Sequence, residues 1–288
     1  MTPCLSQATT LHSPFEEDLE TYARAGWTAI ELWLTKLERY LEGHSPAEAK
    51  AALDAAGLRA AGAASQGGLL LSQGEERRLH WDHFRRRLDI LAELGAGTLV
   101  VVPDFLREPE ERDLARAIAS LGEAAALARG AGIRLALEFP KTARFCSSLD
   151  TALALVSGCE ADNLGVCLDL FHYYTGPSKF EDLAYLTPSN LAWVQICDLA
   201  GTPRELAGDS DRILPGDGDF QLAPILEHLA RIGYDGCVSV EVLNPNLWAI
   251  PSDRVAEIAL RATLRTLDGI SRGPGPEPAP PDAPPGGP

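Results

Sequence analysis

Apolar and polar positions alternate along the chain in two different rhythms. Short, almost solidly apolar runs occur at CLSQA (4–8), TAIELWL (28–34), LRAAGAAS (58–65), TLVVVPD (98–104), RLALEFP (134–140), LGVCLDLFH (164–172), LAWVQICDL (191–199) and CVSVEVLNP (237–245). Runs of this kind are expected of parallel strands covered on both faces by helices. Between them the spacing changes to that of a helix. Leu114, Ile118, Leu121, Ala125 and Ala128 share one helical face, as do Phe84, Leu88 and Leu91. Ser45-Pro46-Ala47-Glu48 carries a Ser N-cap, Pro at the first helical position and Glu at the third. Ser147, with Asp150 three residues on, reads as a second helix start. Gly26, Gly57, Gly97, Gly132, Gly165 and Gly236 stand before or near strand starts, where a left-handed residue ends a helix.

Eight strand–helix units in about 270 residues predict a closed (β/α)8 barrel, typically ~250 residues long. A doubly wound open sheet usually shows a glycine-rich turn after its first strand. Here Ala8-Thr9-Thr10-Leu11-His12 follows, without glycine. The last segment, 273–288, is GPGPEPAPPDAPPGGP, in which Gly and Pro make up twelve of sixteen residues. It cannot bury apolar area, so a disordered tail is expected there and a single barrel domain over residues 1–272.

Composition narrows the function. The chain has 25 Lys+Arg and 41 Asp+Glu, a net charge of −16, which argues against nucleic acid as the main partner. No apolar stretch approaches the roughly 20 residues of a membrane span, and no polybasic run marks a membrane surface. The N-terminus lacks the basic and apolar regions of a secretory signal. The six cysteines form no CxxC pair and several sit in apolar runs, as buried thiols in a reducing compartment do. The expected location is cytoplasmic.

The active site of a barrel lies at the C-terminal ends of its strands. Four oxygen-bearing side chains interrupt the apolar runs there: Glu138, Asp169, Gln195 and Glu241, on strands five to eight. A carboxylate in a strand core is costly unless it is paired or metal-bound. Three converging carboxylates repel one another by several kcal/mol at an effective dielectric of about 20. A divalent cation removes the conflict, and an all-oxygen set suits Mn2+ or Mg2+, with Co2+ also compatible. Glu31 is a further charged group inside an apolar run. Trp33, Gln66 and Asp104 end strands two to four, and Lys141 follows Glu138 by three residues.

The runs LALEFP, VCLDLFH, VQICD and VSVEVLNP resemble the xylose-isomerase-like barrel family. That family includes sugar and sugar-phosphate isomerases and epimerases, inosose isomerases and dehydratases, and 3-dehydroshikimate dehydratases. The resemblance implies one divalent metal on Glu138, Asp169, Gln195 and Glu241, with Glu138 and Glu241 as the acid/base pair. Most epimerases of the family have His where Gln195 stands; some dehydroshikimate dehydratases have Gln. The resemblance also implies that His172, in a DxxH pattern, faces substrate, and that an Arg follows strand seven. Arg204, nearer the strand end than Arg212, is the preferred candidate; Glu31 and Lys141 are further substrate contacts. The implied activity is isomerisation or epimerisation of a sugar, sugar phosphate or inosose through an enediolate. The alternative is a dehydratase-like lyase using the same metal, and the third reading is a non-catalytic barrel subunit. The implied partner is a carbohydrate-like small molecule, and homo-oligomers are common in such families.

Overall fold

The computed structural model describes residues 1–271 with the exception of Leu106. The expected tail lies outside the described residues. The eight strands are β1 (Thr2–Ser6), β2 (Ala29–Trp33), β3 (Arg59–Gln66), β4 (Thr98–Val101), β5 (Arg134–Leu137), β6 (Leu164–Asp169), β7 (Leu191–Ile196) and β8 (Cys237–Val240). They are parallel and close in sequence order into a barrel, with β1 paired to β8 through Cys4 opposite Ser239. No helix among the described residues is long and apolar enough to cross a membrane.

Most strands end sooner than their apolar runs. The run 134–140 is strand only to Leu137, and 237–245 only to Val240. The first extra residue still bonds to the neighbouring strand, Glu138 N to the Val101 carbonyl at 2.9 Å and Glu241 N to the Ile196 carbonyl at 3.1 Å, and the regular strand ends there. That places Glu138 and Glu241 on the first residue past their strands.

The helices follow the expected faces. Phe84, Leu88 and Leu91 are buried on the helix Gly74–Leu94, each worth about 1.5–3 kcal/mol against exposure. Leu121, Ala125 and Ala128 are buried on Glu111–Gly130, while Leu114 and Ile118 are half-buried at its edge. Ser45 and Glu48 form the full reciprocal cap of the helix Pro46–Ala55. The start expected at Ser147 falls one residue later: Ser148 is the N-cap of Leu149–Gly158, and its hydroxyl contacts Asp150. Of the six glycines expected in left-handed conformation, Gly26, Gly57 and Gly132 have positive φ and the other three do not. In the turn from the helix Gly74–Leu94 into β4 the left-handed residue is Gly95 rather than Gly97.

Two apolar regions hold the barrel. A large shell packs strands against helices. A smaller cluster fills the barrel floor with Cys4, Ala29, Ala61, Ala136, Cys167, Ala192 and Trp193 among others. The residues there are small because one indole occupies the axis: a Cβ on Gly62 would lie 2.9 Å from the Trp193 ring. All six cysteines are free thiols, five buried and Cys159 half-buried.

Candidate active site

Side chains that point inward above Trp193 build a polar cup at the strand C-terminal ends. Glu31 from β2, Gln195 from β7 and Ser239 from β8 form its base. Gln195 Nε2 donates to Glu31 Oε1 at 2.9 Å and to Glu241 Oε1 at 3.1 Å. Its Oε1 accepts from the Cys167 thiol at 3.2 Å. The Ser239 hydroxyl donates to Glu31 Oε2 at 2.6 Å. Glu31 is fully buried, and burial raises its carboxyl to about 7 against the pull of Ser239.

Asp169 ends β6 and caps the short helix Leu170–Thr175. Its Oδ1 accepts from the Phe171 amide at 2.6 Å. Its Oδ2 is buried and receives no well-directed hydrogen bond. His172, one turn on, lies with Nε2 3.4 Å from Glu138 Oε1 and 3.9 Å from Asp169 Oδ2. The Lys141 amide points at His172 Nδ1 from 3.5 Å, and Arg212 Nη2 lies 3.4 Å from His172 Nε2. Ligating atoms of Glu138, Asp169 and His172 all lie within 4.8 Å of one another.

Arg212 enters this cup and is 1% exposed. Its Nη1 is 2.8 Å from Asp169 Oδ2 and 3.3 Å from Glu241 Oε2. Its Nε and Nη2 donate to Asp209 Oδ1 at 3.1 and 2.9 Å. The guanidinium also lies 4.5 Å over the Phe171 ring. Burial pushes the Asp169 carboxyl up, but Arg212 and His172 beside it hold it below the ordinary carboxylate range. Glu241 goes the other way: burial, with other acids nearby, raises it well above that range despite Arg212.

Of the residues singled out in the sequence, the structure brings Glu31, Glu138, Asp169, His172, Gln195 and Glu241 together. It does not bring Arg204, which is exposed and lies 3.5 Å from Glu205. Lys141 is at the cup, but its ammonium is taken up by the main-chain oxygens of Arg204 and Ala207, at 3.0 and 2.7 Å. Asp104 is likewise occupied by the amides of Leu70, Leu71 and Ser72.

Arg212 takes the place assigned to Arg204 because the loop after β7 doubles back. Asp198 and Ile213 pair as an antiparallel bridge, and the Asp198 carboxylate holds the amides of Leu199, Gly216 and Phe220. Distance along the chain from β7 is therefore a poor guide to distance from the cup. A carboxylate directly after β7, followed by the Pro215-Gly216 turn, was the available signal for that fold-back.

Beside the cup, a cleft of about 1100 Å³ opens among the loops after β1 and β2, lined by His12, Trp33, Lys36, Arg39 and Tyr40. Trp33 follows Glu31 by two residues on β2, so the two side chains share the inner face.

A family model described as xylose isomerase-like TIM barrel matches residues 19–266. An inosose isomerase of Bacillus velezensis is 26% identical over 270 residues, covering 90% of this chain and 95% of that protein. A 3-dehydroshikimate dehydratase of Pseudomonas aeruginosa is 28% identical over 269 residues, covering 88% of this chain and 40% of that protein. The crystal structure of an IolI protein with a binding zinc atom superposes with a TM-score of 0.88 at 24% identity, covering 94% of this chain and 99% of that one.

Proposed function

The chain belongs to the xylose isomerase-like TIM barrel family, and from that membership and its cup of donors we propose that it is a divalent-metal-dependent isomerase or epimerase of a sugar, sugar phosphate or inosose. One observation carries the reading. Three buried carboxylates, Glu138, Asp169 and Glu241, line one cup: ligating atoms of Glu138 and Asp169 lie within 4.8 Å of each other and of His172, a single guanidinium joins Asp169 to Glu241, and Asp169 Oδ2 lacks a directed donor. Such a set fits a hard divalent cation.

Glu138, Asp169 and Glu241 would hold the ion. Gln195 joins them only by turning its amide so that Oε1 replaces Nε2 on the side of Glu241. A bound cation supplies Lewis-acid polarisation of the substrate's carbonyl and neighbouring hydroxyl oxygens. The remaining chemistry belongs to side chains. Glu138 and Glu241 leave the barrel wall three strands apart and flank the space between them. One, ionised, takes a proton from the carbon next to the carbonyl, and the other, protonated, delivers its own proton to the opposite face, inverting that carbon. Delivery to the neighbouring carbon gives isomerisation instead. His172, with Nε2 3.4 Å from Glu138 Oε1, orients that carboxylate, and Arg212 supplies positive charge for a substrate oxygen.

Gln195 supports a second reading, a 3-dehydroshikimate-dehydratase-like lyase, in which the same proton abstraction ends in loss of a β-hydroxyl. The similarity to the Pseudomonas aeruginosa dehydratase points the same way. The test is a panel of ketoses, sugar phosphates, inososes and 3-dehydroshikimate in D2O, with Mn2+, Mg2+ or Co2+ added and after chelation. Metal-dependent deuterium incorporation with retention of all hydroxyls supports the isomerase or epimerase. An absorbing enone product supports the lyase. Turnover untouched by chelation counts against the metal.

A further inference from the structure

Arg212 stands where a cation shared by Asp169 and Glu241 would stand, and the way it is held shows which part of it is free to leave. Its backbone is fixed: Asn244 Nδ2 donates to the Arg212 carbonyl at 2.9 Å, and the next residue, Ile213, is bridged to Asp198. The Nε and Nη2 edge of the guanidinium is anchored on Asp209, whose side chain is 54% exposed. Only Nη1 reaches the two buried carboxylates, and its contact with Asp169 Oδ2 is close but off the hydrogen-bond axis. The side chain can therefore pivot on Asp209, withdrawing Nη1 while its other edge stays paired.

We propose that Arg212 is an internal counter-cation that competes with the divalent metal for Asp169 and Glu241, so that metal entry and release are coupled to a swing of its guanidinium. This rests on the metal-dependent reading above. Docked, Nη1 offsets the repulsion among buried acids and keeps the metal-free cup folded. The docked state is not competent to bind the metal, so the apparent affinity is the intrinsic affinity multiplied by the fraction of molecules in which Nη1 is withdrawn.

The test is Mn2+ titration followed by the electron paramagnetic resonance signal of free Mn2+, on the wild-type chain, Arg212→Gln and Arg212→Lys. Arg212→Gln should bind Mn2+ about tenfold more tightly or better, as expected when a docked state of roughly nine-tenths occupancy is removed. Its metal-free form should melt well below the wild type in chelator, with Mn2+ closing most of the gap. Arg212→Lys keeps the charge, but one shorter ammonium cannot hold Asp209 and both acids together. Tighter Mn2+ binding in this variant as well assigns the effect to bridging rather than to charge alone, and it serves if the Gln variant does not fold. Equal or weaker Mn2+ binding in both variants overturns the competition and leaves the metal site standing. No Mn2+ binding by any of the three proteins overturns the metal reading and the competition with it.

Discussion

Gln195 Nε2 donates to Glu31 Oε1 at 2.9 Å, tying β7 to β2 across the inside of the barrel. The same nitrogen serves Glu241, and the amide oxygen takes the Cys167 thiol, so the amide is fully used. Gln195→Met keeps most of the volume and removes both N–H donors from two buried acids. A loss of about 1–3 kcal/mol is expected in chelator-containing buffer, measured by urea denaturation. A change within error of zero would mean that the amide does not hold these carboxylates.

Glu138 and Glu241 have the same assigned chemistry but different surroundings. Glu138→Gln and Glu241→Gln should each remove solvent-deuterium exchange into substrate, by about 100-fold or more, while the circular dichroism spectrum stays native. Exchange at the wild-type rate in either variant removes that residue from the proton-transfer pair.

The ammonium of Lys141 fastens the loop that carries Arg212, through the carbonyls of Arg204 and Ala207. Lys141→Met should free that segment. Limited proteolysis should then cut between residues 200 and 212 at a higher rate, and KM should rise more than kcat falls, since binding geometry suffers before chemistry. Unchanged protection from proteolysis would return Lys141 to the role of a direct substrate contact.

The architecture was legible because each strand and each helix carries its own period, and the periods repeat eight times. The acids of the cup were legible for a related reason: Glu138, Asp169 and Glu241 break runs whose other members are buried in the shell or the floor. Gln195 was found at its place, but an amide has two ends, and which end faces the acids depends on Cys167 and Glu31, distant in sequence. Arg212 was the harder residue. Its position follows from the 198–213 bridge, and the pattern from Asp198 to Gly218 has neither helical nor strand period to announce it. The run lengths misled in the other direction, since apolarity continues past the regular strand into the loop that follows, as after Leu137 and Val240.

Lys36 and Asp18 form a buried ion pair below the rim, with Nζ 2.6 Å from Oδ2 and further contacts to the carbonyls of Gln7 and Thr10. Gln7 in turn donates to Asp18 and accepts the Trp33 amide, which connects the pair to the end of β2. Lys36→Met leaves Asp18 buried without its cation and should cost about 3–5 kcal/mol in chemical denaturation. Adding Asp18→Asn should restore a large part of that loss. A double variant no more stable than the single one would show that packing, not the stranded charge, sets the cost.

At the floor, Arg59 Nη2 lies 3.4 Å from Cys237 Sγ, at the first residue of β8. The neighbouring Cys4 thiol and the Arg59 guanidinium bring the Cys237 thiol down to about 6, against the effect of burial. Burial moves the other cysteines upward, Cys159 to about 11 and Cys146 to about 12. The thiolate is the nucleophile, and its fraction grows as pH rises through the folded value. Alkylation by iodoacetamide, mapped by mass spectrometry, should therefore be selective for Cys237, half-maximal near pH 6 and flat above pH 7. Arg59→Met removes one of the two stabilising contacts and should move the midpoint toward the ordinary thiol value of about 8.5, slowing labelling at pH 7 by up to roughly thirtyfold. A midpoint that does not move with Arg59 assigns the activation to Cys4, and Cys4→Ser then has to move it. Labelling that rises only above pH 8 in the wild-type chain would remove the thiolate from the floor of the barrel.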